Sequence, residues 1–448
     1  MDLFGTAGIR GDARTRVTPE LALAVGRAAG ADATELVVGR DGRETGAALV
    51  AAVEAGAESA GATVRRVGVV PTPTLAFASR GRRGIQVTAS HNPPQDNGLK
   101  LFVDGEEYDG EAERRVEERV AEGLEPTTWD EWGDATSFDP LADYRDAVAA
   151  YARQHGPAPD GQTVVVDCGN GMASLATPQV LRALGAHVVA LNANVDGHFP
   201  GRPSKPTPET LGDLMAFVAD HGNCIGIAHD GDADRIVVVD GDGEVVHEDT
   251  VLAIVAEHYV RIADVSDPVV VTTPNASGRI DERVDAAGGR VERVKLGSLH
   301  EGIAAAREAG GDVVFAGEPW KHIHPYFGPW IDGVASAALL STLVADRGLP
   351  ALREPVSERP YRKVSVDCPD DAKVKTMELV GKRLPALYPE ADVNTEYGVR
   401  VNFADGSWAL VRPSGTEPYV RVYAESDDVD ALVGRVVECV ESAVADVS

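Results

Sequence analysis

Cysteine, lysine and long apolar runs are all scarce in this chain, and each scarcity narrows what it can be. The four cysteines, Cys168, Cys224, Cys368 and Cys439, are scattered and form no CxxC pair. Structural thiols in a reducing cytoplasm are therefore the expectation. No uninterrupted apolar run approaches the ~20 residues of a membrane helix. The opening Met1-Asp2-Leu3-Phe4 has no basic segment followed by an apolar stretch, so a signal peptide is not expected. Lysine occurs at eight positions only, the other basic residues being arginine, and acidic residues outnumber basic ones by 71 to 42. The formal charge of −29 repels nucleic acid and anionic membranes, and it suggests a cytoplasm high in salt, where screening weakens self-repulsion.

What is present is an ordinary globular composition, 44% hydrophobic over 448 residues, too long for one core and consistent with three or four domains. Strand-like and helix-like stretches alternate. Leu36-Val37-Val38 leads through a Gly-Arg-Asp-Gly-Arg turn at 39–43 into an Ala-rich helical stretch over 46–61. Thr163-Val164-Val165-Val166 leads through a Gly/Asn turn into a helical pattern that runs to Leu184, and Pro268-Val269-Val270-Val271 opens a third such unit. This repetition predicts α/β layers with largely parallel sheets. The polar stretch 122–142 reads as a linker, Asp240-Gly241-Asp242-Gly243 as a tight turn at a second boundary, and 349–360 as a third. The remainder mixes short strands with an amphipathic helix over Val429–Val447, as in a small α+β domain. The expected division is 1–135, 143–242, 243–348 and 358–448.

Four loops carry candidate chemistry. Thr88-Ala89-Ser90-His91-Asn92-Pro93 puts a hydroxyl on a short Pro-terminated turn, and Lys100 follows closely enough to return an ammonium to it. A plain structural turn is the competing reading. A serine gains phosphoryl chemistry only where a metal or cations take up developing charge. Asp230, Asp232 and Asp234 alternate just before the apolar run Ile236–Val239. An EF-hand fails here, because the sixth position is Arg235 rather than Gly and the twelfth is Gly241 rather than Glu. Three hard carboxylates without His or Cys suit Mg²⁺; a solvated acidic turn is the alternative. Arg412-Pro413-Ser414-Gly415-Thr416-Glu417-Pro418 offers a guanidinium, two hydroxyls and Gly-permitted backbone N–H groups, with Arg421 nearby, an inventory that suits a phosphate dianion. Glu318, Lys321 and His322 share one loop and could orient sugar hydroxyls or move a proton.

Taken in order along the chain, from Phe4-Gly5-Thr6-Ala7-Gly8-Ile9-Arg10-Gly11 through these four loops, the sequence resembles the α-D-phosphohexomutase family of phosphoglucomutases, phosphomannomutases and phosphoglucosamine mutases. The resemblance implies four domains around a central cleft, three α/β and a smaller C-terminal α+β one. It implies that Ser90 is a phosphoserine and that Ser90, Asp230, Asp232 and Asp234 hold Mg²⁺. The catalytic set would be Ser90, His91, Lys100 and Arg10, with Arg235 lining the transfer site. Glu318, Lys321 and His322 would meet the sugar, and Arg412, Ser414, Gly415, Thr416 and Arg421 would grip the phosphate that is not reacting. A sugar phosphate is the expected substrate and a sugar bisphosphate the intermediate. The opening motif leans toward the phosphoglucosamine mutases. Pro319-Trp320-Lys321 and Ser298 depart from the family pattern at sugar-facing positions, which keeps mannose, glucose and pentose phosphates open. A metal-dependent phosphatase and a silent sugar-phosphate sensor are the other readings. The second phosphate loop argues against the first, and the complete serine, lysine and aspartate set against the second.

Overall fold

A computed structural model describes every residue except Met1, Asp2, Thr6, Ala7, Asn223, Gly415, Thr416 and Ser448. The chain forms two compact units, one of Met1–Val251 with Val313–Leu352, the other of Leu252–Asp312 with Arg353–Ser448. No helix among the described residues is long and apolar enough to cross a membrane.

In the first unit, the strand Glu35–Arg40 lies between Thr63–Val69 and Arg83–Val87, parallel to both. Its Leu36, Val37 and Val38 are buried, the near-continuous apolar run that a strand covered on both faces requires. The sheet then changes direction. Asp96–Val103 runs antiparallel to Arg83–Val87, and Ile9–Asp12 antiparallel to Asp96–Val103. Helices Pro19–Gly30 and Gly46–Ser59 pack on this sheet. Their approach is close because glycine stands at the crossing: a Cβ on Gly56 would lie 2.1 Å from the Leu23 carbonyl oxygen.

A second sheet repeats the plan. Thr163–Asp167 lies between His187–Leu191 and Cys224–Ala228, parallel to both, and Val237–Val239 folds back antiparallel on Cys224–Ala228. The sheets are thus mixed, each parallel through its centre and one edge and antiparallel at the other edge. In each, one loop joins the C-terminal end of a parallel strand to its antiparallel neighbour, and these two loops carry Ser90 and the three aspartates. Ligands of open α/β sheets gather at such strand ends.

The polar stretch read as a linker contains an edge strand, Ala135–Ser137, parallel to Thr63–Val69; its half-buried Ala135 and exposed Thr136 and Ser137 carry no periodicity to betray it. Asp240–Gly243 is a tight turn, as expected, and closes a hairpin between Val237–Val239 and Val245–Val246.

In the second unit, Pro268–Thr272 and Arg290–Arg293 run parallel with helix Gly278–Ala286 connecting them. The C-terminal sheet is wholly antiparallel, in the order Tyr361–Asp367, Tyr419–Glu425, Trp408–Pro413, Val399–Asn402, Asp392–Asn394. Helices Lys373–Leu387 and Val429–Ala445 bury Val380, Leu384, Val436 and Val440 against Val401, Val411 and Val422 of that sheet.

Candidate active site

Strand register assembles the first cations. Arg10 stands opposite Gly98, and Lys100 lies two residues further along the same strand, so both side chains leave one face of the sheet. Just past the strand that precedes it, Ser90 is fully buried and adopts φ 52°, the left-handed region that costs a non-glycine residue energy and is tolerated mainly at functional sites. Its N–H donates to Thr88 Oγ1 at 2.9 Å, and its Oγ donates to Asp230 Oδ2 at 2.6 Å. His91 Nδ1 lies 3.4 Å from the same oxygen. Burial, and then the charges of Arg235 and Arg10, push the His91 imidazole down to about 2. It stays neutral at physiological pH and is a weak base, which leaves Asp230 as the nearer and stronger proton acceptor.

The two loops touch because residue 231 has no side chain. A Cβ there would sit 2.5 Å from the Ser90 carbonyl oxygen. Ala233, at φ 65°, turns the loop so that Asp230, Asp232 and Asp234 bring carboxylate oxygens within 4.8 Å of one another, all of them buried. Lys100 Nζ donates to Asp232 Oδ2 at 2.9 Å and also to Asp234 Oδ2, while Thr72 Oγ1 donates to Asp232 Oδ2 at 2.6 Å. Burial and the two neighbouring carboxylates raise the Asp230 carboxyl well above its ordinary range. Burial acts the same way on Asp232, but Lys100 and Thr72 outweigh it and hold that group low.

This cluster fits a hard divalent cation. Asp232 Oδ1 and Asp234 Oδ1 are buried and accept no hydrogen bond. An unsatisfied buried acceptor costs roughly 1–3 kcal/mol, and oxygen donors of this kind are the ones that Mg²⁺ takes. Arg235 Nε stands 3.7 Å from Asp230 and 3.9 Å from Asp234 and makes no hydrogen bond, as is also true of Arg10 Nε. The loop therefore offers both acceptors for a cation and donors for an anion.

The Glu318 loop joins this site through backbone. Trp320, at φ 69°, forms the tight turn between Asp312–Glu318 and Lys321–Ile323, so Glu318 and Lys321 face each other across the hairpin with their charges 3.9 Å apart. Lys321 bridges to Arg235, and Ile236 N donates to the Trp320 carbonyl at 3.0 Å. Lys321 is close enough to help hold the Asp234 carboxyl low against burial and the Asp232 charge. His322 differs from expectation. Only 1% exposed, it shares the Ser336 hydroxyl with His324, at 3.0 and 2.8 Å, and burial holds its ring down to about 3. A neutral ring in that position supports the loop from beneath.

Several supporting groups went unread in the sequence. His229 Nδ1 donates to the Arg235 carbonyl at 2.7 Å, its Nε2 accepts from Thr177 Oγ1 at 3.1 Å, and the ring so ties the ends of the aspartate loop. Arg202 donates to Asp167 Oδ2 at 2.6 Å and to the His229 carbonyl at 2.7 Å. Thr72 starts a short helix in a Pro-Thr-Pro-Thr stretch that reads as an ordinary turn.

In the second unit, Arg412 and Arg421 stand directly opposite each other on paired strands. Like charges so placed are destabilising unless an anion lies between them. Arg412 Nη2 donates to Tyr423 OH at 3.1 Å, Arg421 donates to Tyr419 OH, and neither Nε has a partner. Burial raises the Tyr423 phenol, but the two guanidiniums outweigh it and the net shift is downward. Ser414 is buried, its hydroxyl accepting from Glu417 N at 3.2 Å. Lys373 Nζ donates to the Ser414 carbonyl at 2.8 Å and the Glu417 carbonyl at 2.6 Å, clamping both ends of the loop. Gly415 and Thr416, expected within this grip, lie outside the described residues.

Known proteins show the same order of parts. Residues 1–127, 142–243 and 247–360 match the phosphoglucomutase/phosphomannomutase α/β/α domains I, II and III, and residues 364–442 match the C-terminal domain of that family. A phosphopentomutase from Thermococcus kodakarensis is 42% identical over 438 residues, 95% of this chain and 94% of that protein. A probable phosphoglucosamine mutase from Methanopyrus kandleri is 43% identical over 458 residues, 98% of each. The crystal structure of a phosphoglucomutase/phosphomannomutase family protein from Burkholderia thailandensis superimposes with a TM-score of 0.84 at 28% identity, covering 99% of this chain and 97% of that one.

Proposed function

Because this chain belongs to the phosphoglucomutase/phosphomannomutase family, we propose that it interconverts hexose 1-phosphates and 6-phosphates through a phosphoserine at Ser90 and a sugar bisphosphate intermediate. The observation that carries the reading is the 2.6 Å contact between Ser90 Oγ and Asp230, inside a buried cluster of carboxylates and cations. Ser90 Oγ is the group that gives and receives the phosphoryl, and Asp230 Oδ2, which accepts the hydrogen bond of the free hydroxyl, is the atom placed to take its proton when Oγ receives the phosphoryl. Asp230, Asp232 and Asp234 would hold Mg²⁺ together with Ser90, and a bound Mg²⁺ supplies charge neutralisation at the phosphoryl oxygens. Lys100 keeps Asp232 and Asp234 in register and adds a fixed positive charge. Arg10 and Arg235 bind the phosphoryl oxygens, His91 packs beside the serine as a neutral ring, and the depth of Ser90 keeps water from the phosphoserine.

Glu318 accepts from a sugar hydroxyl while Lys321 donates to its neighbour, with His322 bracing both. Arg412, Ser414 and Arg421, with Gly415 and Thr416, hold the phosphate that is not being transferred. Such a grip reads a dianion and not a sugar face, so it serves a bisphosphate in either orientation. Glucosamine, mannose and glucose phosphates are the candidate hexose substrates, and the Thermococcus relative, a phosphopentomutase, makes a pentose phosphate the natural fourth arm of a test. The experiment is a panel of these sugar 1-phosphates with Mg²⁺ and a catalytic amount of bisphosphate, assayed for the isomer and for free phosphate. Isomer from the wild type and none from folded Ser90→Ala is the expected result. Free phosphate without isomer would mean a phosphatase, and undiminished turnover in Ser90→Ala would remove the nucleophile assignment.

A further inference from the structure

Arg43 is wholly buried, and its guanidinium bonds to none of the side chains assigned above to metal or substrate. Each of its five guanidinium N–H bonds nonetheless has an acceptor. Nε donates to Asp41 Oδ2 at 2.9 Å, Nη1 to the carbonyls of Pro93 and Asp96 at 2.6 and 2.8 Å, and Nη2 to the carbonyls of Ser90 and Asn92 at 2.9 and 2.8 Å. Four carbonyls of the serine loop thus converge on one cation. Asp41 extends the network by accepting from Thr88 Oγ1 at 2.7 Å, and Thr88 Oγ1 in turn accepts the Ser90 N–H.

The guanidinium sits 5.2 Å from the centre of the Phe199 ring, and Ser204 Oγ donates to the Asn92 carbonyl at 2.9 Å. The segment that supplies Phe199 and Ser204 also supplies Arg202, which grips the aspartate loop. The serine loop is therefore held from two sides. Two of the carbonyls that Arg43 engages, those of Asn92 and Pro93, precede proline and belong to peptide units with no N–H of their own, so the loop has two backbone donors fewer, and its turn bonds are the Asn92 N–H to the Ala89 carbonyl at 3.0 Å and the Asp96 N–H to the Pro93 carbonyl at 3.1 Å.

We propose that Arg43 is the positioning residue of the phosphoserine: its planar fork keeps Ser90 in the left-handed conformation that directs Oγ to Asp230. Lysine cannot do this, because an ammonium has three donors and no fixed fork. The inference rests on the mutase reading above and concerns the rate of transfer at Ser90, not affinity for the sugar. A nucleophile displaced by about 1 Å loses roughly 100-fold in rate, whereas the groups that bind the sugar phosphate lie on other loops.

The test compares Arg43→Lys with the wild type for kcat, KM and Tm, and for the partition of phosphoserine between transfer to sugar and loss to water. The expected result is a folded variant with kcat lowered at least ~30-fold, KM within ~3-fold of wild type, and a larger share of phosphoserine lost to water. A folded variant with kcat within ~3-fold of wild type, or one whose loss lies entirely in KM, overturns the proposal. Should Arg43→Lys fail to fold, Thr88→Val decides in its place, since it removes the acceptor of the Ser90 N–H and the donor to Asp41. A kcat-specific loss that Thr88→Ser restores supports the proposal, and wild-type kcat in Thr88→Val overturns it. A wild type that isomerises no sugar phosphate would sink the proposed function itself, whereas an active wild type beside an unimpaired Arg43→Lys sinks only this inference.

Discussion

Gly231→Ala tests the contact between the two catalytic loops. The added Cβ would lie 2.5 Å from the Ser90 carbonyl oxygen and 3.4 Å from Phe199 Cζ. Carbon and oxygen rest no closer than about 3.3 Å, so the loops must separate by about 0.8 Å. Neither side yields cheaply. The Ser90 carbonyl is held by Arg43, and the Gly231 carbonyl accepts the Met172 N–H at 2.9 Å. The separation falls on the Ser90–Asp230 hydrogen bond, which has no slack at 2.6 Å. A displacement of that size at a reacting atom costs on the order of 30–100-fold in kcat, or about 2–2.7 kcal/mol of barrier. The assay is steady-state isomerisation with the best substrate of the panel, with Tm measured alongside. Gly241→Ala is the control: its Cβ would meet nothing closer than the Cys224 carbonyl oxygen at 3.6 Å. A folded Gly231→Ala variant with kcat within ~3-fold of wild type would show that the two loops need not be in contact for turnover.

Two further outcomes follow from the same geometry. Arg412→Met, which leaves Arg421 without its opposing cation, should raise KM by about 10–100-fold, the worth of a charge-assisted phosphate contact, with a smaller effect on kcat; an unchanged KM contradicts the phosphate grip. Stability should fall with acid. The fully buried rings of His229 and His322 stay neutral in the folded state down to about 4 and about 3, whereas the unfolded chain takes up those protons near 6.5. Their contribution is complete above pH 6.5 and is lost as the pH falls below it, by about 1.4 kcal/mol per pH unit for each ring. His324 acts with the same sign. Burial raises Asp332 to about 6 and also raises Asp41 and Asp230, and these three carboxyls oppose the rings; His91 and His155, held down to about 2 and about 4, act with the rings, so five groups outweigh three and the net slope is positive. A denaturant midpoint that is flat from pH 7 to pH 5 contradicts this account.

Much of this was legible in the chain before any fold was known, because the signals are short-range. The alternation of apolar strand, Gly/Asn turn and helix identifies α/β layers; the helices begun by Gly46 and Val429 start where their patterns do. Carboxylates at every second position and a hydroxyl beside a Pro-rich turn mark loops able to hold charge, whatever surrounds them. The edge strand Ala135–Ser137 was not legible, since one half-buried and two exposed residues owe their extended conformation to the neighbouring strand Thr63–Val69 and not to any pattern of their own.

Only the tertiary structure decided which groups meet. Ser90 and Asp230 are 140 residues apart, as are few of the contacts that local periodicity can report, and their meeting depends on two separate sheets presenting corresponding strand ends. Arg43, Thr72 and Arg202 look like unremarkable turn residues until burial strips them of water, after which each donor must find a protein acceptor. The same removal of solvent makes His322 a neutral prop and leaves two aspartate oxygens in want of a cation. Residue type along the chain determines what a group is able to bind. Its enclosure by distant segments determines its charge, its partners and its task.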